Sequence, residues 1–263
     1  MLIASAFLLS SCHKPAPQQE QKADQGHGTQ AAAAGAEAAQ PKSPETPQPA
    51  AGGTPAAAQA PPSAGQLVPL EIKLPKPMFV GTPTNISEPN LEKPLGRPRP
   101  PFLVPAGTKN VAFKKAVTSS DEQPVIGELS MVTDGDKEAA EGSFVELGPN
   151  LQYVTIDLKT RNTIYAIVLW HYHKQAVVYR DVIVQVADDP DFITNVQTVF
   201  NNDIDNSSGR GVGKDMSYVE TAEGKLIDAK GVQGRYVRLY SRGNTANDLN
   251  HYIEVEVYGK AVQ

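Results

Sequence analysis

From residue 152 onward the apolar positions fall into short runs separated by turn formers. Gln152-Tyr-Val-Thr-Ile-Asp-Leu158 alternates between apolar and polar side chains, the pattern of a strand with one buried face. Thr163-Ile-Tyr-Ala-Ile-Val-Leu-Trp-His-Tyr172 is a longer run of β-branched and aromatic residues. Tyr179-Arg-Asp-Val-Ile-Val-Gln-Val186 places Val182, Val184 and Val186 on one face. Period two returns in Arg235-Tyr-Val-Arg-Leu-Tyr240 and in Tyr252-Ile-Glu-Val-Glu-Val-Tyr258. The intervening segments DDPDF, NNDIDNSSGRGVG and SRGNTANDLN are rich in turn residues. No stretch holds a helical period for more than a turn or two. About eight strands over about 150 residues with long polar loops predict an all-β fold, an antiparallel β-sandwich over 106–263. That length is ample for one core without disulfides.

The pattern is absent upstream. From His13 to Gly65 the chain is Ala, Pro, Gln and Gly with a few charges, without Phe, Tyr, Trp or a large aliphatic residue. Such a segment cannot bury enough apolar surface to offset its ordering entropy, so 12–65 is expected to be a disordered tether. Coil statistics give it a reach of about 40 Å. Residues 66–105 are intermediate: prolines recur every few positions, yet Leu, Ile, Val and Phe return. Proline at this density excludes regular helix and central strand. The expectation is an extended arm that lies on the folded domain through residues such as Phe79 and Phe102.

The net charge is −5, and the basic residues form no stripe, which argues against nucleic-acid binding. Catalytic signatures are also missing. There is no Gly-x-Ser-x-Gly elbow, no His-Glu-x-x-His and no phosphate loop, and nothing marks two carboxylates as an acid/base pair. The expectation is a protein without enzymatic activity.

Cys12 is the single cysteine of the 263 residues, so it forms no intramolecular disulfide. It follows an apolar run and two small residues, Leu9-Ser10-Ser11-Cys12, which resembles the lipobox of bacterial lipoproteins. The resemblance implies removal of residues 1–11 and lipidation of Cys12. Several acyl chains then hold the protein on a bilayer. The run itself is shorter than the roughly 20 residues needed to span a membrane. His13 stands where an inner-membrane retention signal has Asp, which by the same resemblance favours the outer membrane of the cell envelope.

A second resemblance runs through 106–260. Asn110-Val-Ala-Phe-Lys-Lys-Ala-Val-Thr-Ser-Ser120 resembles the opening strand of discoidin, or coagulation-factor type C, domains, with Lys114 where glycine is usual. Thr133-Asp134-Gly135-Asp136, Val154-Thr-Ile-Asp-Leu158, Val184-Gln-Val-Ala-Asp-Asp189, Arg235-Tyr-Val-Arg-Leu239 and Ile253-Glu-Val-Glu-Val-Tyr-Gly259 match later motifs in order. The resemblance implies the galactose-binding-like jelly roll and a ligand that is most often a glycan. It also implies one structural Ca2+ held by Asp134, Asp136 and Glu254, with Ser143 as a looser candidate. A calcium ion takes six to eight oxygens, and a tight Asp-Gly-Asp loop can turn oxygens inward. A plain turn capped by Asp134 remains the alternative.

Two further groups carry candidate chemistry. If the strand runs on past Trp170, His171 and His173 point the same way. They could then meet a metal with His251 as third ligand, contact a glycan, or be ordinary histidines beside a core tryptophan. The long loops 201–217 and 241–251 gather Asn201, Asn202, Asp203, Asp205, Asn206 and Arg210, then Arg242, Asn244, Asn247, Asn250 and His251. Amides, carboxylates and guanidinium groups suit a polyol, and Asn and Asp equally suit turns. Asp203-Ile-Asp205 starts like a calcium loop, but its glycine comes one place late and the terminal Glu is missing. The candidate ligand residues are His171, His173, Arg210, Arg242, Asn250 and His251. The function expected is a surface-anchored glycan-binding lipoprotein; the alternative is an envelope scaffold or adhesion module that binds another protein.

Overall fold

The structure is a computed structural model that describes residues 65–81 and 85–262. The expected signal peptide, Cys12 and all of the tether except Gly65 lie outside the described residues. The architecture is all-β and antiparallel. The strands are β1 (Leu67–Pro69), β2 (Leu103–Pro105), β3 (Lys109–Asn110), β4 (Ala116–Ser119), β5 (Val145–Leu147), β6 (Gln152–Trp170), β7 (Ile183–Ala187), β8 (Gln197–Asn201), β9 (Lys225–Ser241), β10 (Asn250–Tyr252) and β11 (Glu254–Ala261). One short 3₁₀ helix spans Leu129–Thr133. Among the described residues no helix is long and apolar enough to cross a membrane.

β6 and β9 organise the fold. They pair with each other along nearly their whole length, and the register breaks between Asp157 and Asn162. Lys159 takes positive φ at this break, and Lys230 and Gly231 do so at a second one, between Ile164 and Ala166. The two long strands thereby belong to two half-sheets. In one, β4, β6, β9, β7 and β8 pair in that order through Gln152–Asp157 and Tyr236–Ser241. In the other, β3, β11, β6 and β9 pair through Asn162–Trp170 and Lys225–Gly234. Val154, Ile156, Val184, Val186, Val237 and Leu239 of the first half share one buried cluster with Ile164, Ile167, Leu169, Val255 and Val257 of the second. The halves face each other across this core, as a sandwich does.

The second half-sheet is buried on its outer side too. Ala166, Val168, Trp170, Ile253 and Tyr258 form another apolar cluster, against which Leu70, Ile72 and Phe102 pack. These three belong to the proline-rich arm. Its ends pair as β1 and β2, and Leu70 donates its N–H to the Phe102 carbonyl at 2.7 Å. Further along, Arg99 donates to the carbonyls of Glu223 (2.8 Å) and Gly224 (3.2 Å). The Lys225 ammonium pairs with Glu92 at 2.7 Å, and the Arg180 guanidinium pairs with Glu88. Double burial explains why Thr163–Trp170 reads as a continuous apolar run rather than an alternation. Trp170 also donates its indole N–H to the Ala222 carbonyl (3.1 Å), and its ring lies against Gly224, where a methyl group would fall 2.6 Å away.

Two details differ from the reading of the sequence. The strand ends at Trp170, so the alternation assumed for His171 and His173 does not extend to them. The opening segment 110–120 is not one strand, because a turn separates β3 from β4. Lys114 occupies that turn with φ 55°, a left-handed backbone that glycine adopts freely and lysine does not.

Candidate functional site

Register places the long loops at one end of the sandwich. Gln152 pairs with Ser241, Ile183 with Tyr240, and Ile183 with Asn201. The loops 148–152, 171–182, 201–217 and 241–250 therefore arrive together. Arg242 joins them: its Nε lies 2.8 Å from an Asp181 carboxylate oxygen, and its Nη2 donates to the Ser207 carbonyl at 2.8 Å. Ser207 Oγ donates to the same Asp181 oxygen at 2.8 Å. Asp203 is buried and accepts the N–H groups of Ser207 (3.0 Å) and Ser208 (2.9 Å) and the Ser208 hydroxyl. The Arg210 guanidinium lies over the Tyr240 ring, 4.9 Å from its centre. Arg210, Asp205 and Asn206 are exposed and Arg242 is half-buried, so this end offers guanidinium, carboxylate and amide groups to solvent.

Asp181, Asp203 and Asp205 bring carboxylate oxygens within 4.8 Å of one another, a grouping that could hold a metal ion. Burial pushes the Asp181 carboxyl up, helped by the nearby carboxylates of Asp203 and Asp205. The sequence pointed to Asp203 and Asp205 but missed Asp181. It comes from the connection before β7, and no local spacing could have signalled it.

The other ligand candidates are struts. His171, His173 and Asn250 have no exposed surface, and His251 has 5%. A ligand arriving from solvent does not reach the first three, which corrects their assignment as contact residues. Asn250 donates to the carbonyls of Gly148 (2.8 Å) and Asn150 (3.0 Å) and accepts from Ser241 Oγ (2.8 Å), tying the 148–152 loop to both ends of the 241–250 loop. His171 Nδ1 lies 2.6 Å from Glu220 Oε1, and its ring stacks on Tyr179 with centres 4.1 Å apart. His173 donates Nε2–H to the Lys137 carbonyl at 2.9 Å, since a carbonyl only accepts. Both His251 nitrogens are engaged, Nδ1 with Tyr179 Oη (2.8 Å) and Nε2 with Glu146 (3.0 Å). Burial pushes the His251 imidazole down, against the upward pull of Glu146. His251 thus does not complete a metal site with His171 and His173. Among the described residues the three-ligand grouping is the aspartate one.

The Asp-Gly-Asp loop meets the closing strand. Gly135 donates its N–H to Glu254 Oε2 at 3.1 Å. Glu254 Oε1 is buried and has no hydrogen-bond partner. Burial, then repulsion from Glu256 and Asp134, pushes the Glu254 carboxyl up to about 9. A buried carboxylate with an orphaned oxygen beside a second carboxylate fits a hard cation, and Asp134 and Glu254 pass that test. Asp136 uses one side-chain oxygen, Oδ1, to accept the Glu138 N–H (3.0 Å), so its other carboxylate oxygen and its carbonyl are the groups it can offer. Ser143 closes a turn with Ala140 through its backbone (3.2 Å), and among the described residues no hydrogen bond joins its hydroxyl to this loop. Next to this pocket Lys137 pairs with Glu256 at 2.7 Å, and Tyr258 donates to the same carboxylate at 2.7 Å.

No protein-family model and no curated protein matches the chain. Solved structures similar to it include a family 89 glycoside hydrolase from Clostridium perfringens, at 17% identity and a TM-score of 0.44, covering 58% of this chain and 15% of the hydrolase. The chain thus spans about one-seventh of that enzyme's length. A CBM32 of AlyQ in complex with 4,5-unsaturated mannuronic acid shares 17% identity at a TM-score of 0.40, over 55% of this chain and 95% of the module. A fucose-binding module of Streptococcus pneumoniae shares 18% identity at 0.40, over 57% and 97%. At this distance the likenesses do not assign a ligand, which has to come from the site.

Proposed function

We propose that this chain is a non-catalytic, surface-anchored glycan-binding lipoprotein. Acyl chains on Cys12 hold it at the cell envelope, on the outer membrane, and residues 12–65 give it reach. The loop end of the sandwich is its recognition surface. The observation that carries this reading is the cluster of Arg210, Arg242, Asp205 and Asn206, the last three held by hydrogen bonds or an ion pair within the loops and Arg210 by the Tyr240 ring. Groups held in place before the ligand arrives lose little freedom on binding, and hydroxyl-rich ligands need such convergent donors and acceptors. Calcium at Asp134 and Glu254 would neutralise a buried carboxylate and fix the loop after Thr133 to the closing strand, so its role is structural. A glycan array probed with the full chain tests the proposal: saturable binding to one polysaccharide class is expected, and silence on every class counts against it.

One observation favours a second reading. Ile204, Val212 and Met216, all in the 201–217 loop, are exposed, Val212 by 65%. Apolar side chains at a loop end suit a protein partner, the expectation for an adhesion or scaffold module. A silent array together with a stoichiometric complex with a purified envelope protein would establish that reading instead.

A further inference from the structure

The arm and the start of β9 enclose a cavity of about 490 Å3 that belongs to neither the loop end nor the Asp-Gly-Asp loop. Its walls are mainly apolar: Met78, Phe79 and Leu95 from the arm, Val219, Ala222 and Leu226 from the domain. Leu95 is 59% and Met78 44% exposed, so apolar surface is open to solvent there. A second hollow of about 180 Å3 adjoins it and shares Arg99, Glu223 and Leu226. Together they form a trough with Arg99 on the wall of both parts.

The charges around this trough do not balance. Four cations line it, Lys93, Arg97, Arg99 and Lys225, against two carboxylates, Glu92 and Glu223. Lys225 is spent on Glu92 at 2.7 Å and on the Tyr218 ring at 4.5 Å. Arg99 is spent on the Glu223 and Gly224 carbonyls and feels the Glu223 carboxylate. Lys93 and Arg97 are exposed and form no salt bridge among the described residues. They flank Pro94-Leu95-Gly96 and stand beside the apolar walls.

We propose that this trough binds a straight-chain alkyl carboxylate, with the chain along the apolar walls and the carboxylate at Lys93 and Arg97. The volume lies in the range of small-molecule sites. A glycan is a poor fit, because the walls would leave most of its hydroxyls unpaired. A neutral apolar molecule would leave the two cations unused. The site depends on the arm, which the discoidin-like segment does not include, and it is independent of the glycan reading.

The test is calorimetric titration of the full chain with decanoate, held below its critical micelle concentration, beside decan-1-ol and butyrate. Decanoate is expected to bind about tenfold more tightly than the alcohol, the factor of a charge-assisted contact at an exposed site. Affinity is expected to rise about threefold per methylene through the series, somewhat below the full-burial value because the trough is open. Butyrate should give no measurable heat. Lys93→Gln with Arg97→Gln should bring decanoate to the affinity of the alcohol, and Leu95→Asp should abolish both. All three residues are exposed, so the melting temperature should stay unchanged. Absence of decanoate binding, equal binding of acid and alcohol to the wild type, or binding untouched by both variants would overturn the proposal.

Discussion

The outer faces of the two half-sheets solve one problem in opposite ways. On the β3–β11–β6–β9 half the outward residues are Ala166, Val168 and Trp170, and the arm covers them with Leu70, Ile72 and Phe102. On the β4–β6–β9–β7–β8 half the face is polar and closed by its own side chains. There Arg235 pairs with Asp157 at 2.8 Å. Arg238 lies between the rings of Tyr153 and Phe192, 4.2 and 4.1 Å from their centres, and donates to Thr155 Oγ1 at 2.8 Å. The same strand, β6, serves both: its first half alternates because one side meets water, and its second half does not because neither side does. Carboxylates follow suit. Burial pushes Glu254, on the covered side, up to about 9, whereas hydrogen bonds from Arg235 hold Asp157, on the open side, well below the usual carboxylate range.

If the arm is the third layer of the domain, removing it should cost the most. A chain lacking residues 66–105 should lose more than 10 °C in melting temperature or fail to fold, because burying each of Leu70, Ile72 and Phe102 contributes about 1–2 kcal/mol even when partial. A fragment beginning at residue 106 with unchanged melting would make the arm an ornament. Next in size is Trp170→Ala, a fully buried aromatic on the covered side, expected to cost about 3–5 kcal/mol in chemical denaturation. Arg238→Ala on the open side should cost no more than about 1 kcal/mol, the scale of an exposed cation–π contact.

The two carboxylates sharpen the contrast through pH. Glu254 holds its proton more tightly folded than unfolded, where its value is the ordinary 4.5. Its penalty is absent below about 4.5 and grows as pH rises toward about 9, so it lowers stability on the alkaline side. Glu254→Gln should therefore raise stability at pH 8 without calcium by about 2–4 kcal/mol and remove any stabilisation that calcium gives the wild type. Thermal melts at pH 5 and pH 8, with EDTA or calcium, check both points. Asp157 behaves inversely: its pairing is present above the usual carboxylate range and lost as pH falls through its lowered value. Its partner is half-exposed and the pair is screened by water, so Asp157→Asn should remove under about 1 kcal/mol at pH 7. The smallest effect is expected at Lys114→Gly, which relieves a left-handed lysine and should gain about 0.5 kcal/mol in melting experiments.

Alternation made the sandwich legible in the sequence. Val154, Ile156 and Val182–Val186 announced their faces, and the arm was visible because Phe102 and its neighbours returned among prolines. The covered face was harder, since a run such as Ile164–Trp170 reports double burial without naming what buries it. The site was less legible still. Exposed Arg210, half-buried Arg242 and buried Asn250 are equally polar in one dimension. Their burial depends on pairings such as Asn250 with Gly148, about a hundred residues apart. Asp181 joined Asp203 and Asp205 only through folding. Glu254 was indicated by its motif alone, and its orphaned oxygen became apparent only in three dimensions.

The glycan site proposed at the loop end rests on Arg210 and Arg242. Calorimetric titration of the full chain with the best oligosaccharide from an array tests it most directly, beside Arg210→Ala and Arg242→Ala. Each substitution should weaken binding about tenfold or more, with Arg210→Ala leaving the melting temperature unchanged. Undiminished binding by both variants would contradict it and move the glycan site elsewhere on the sandwich.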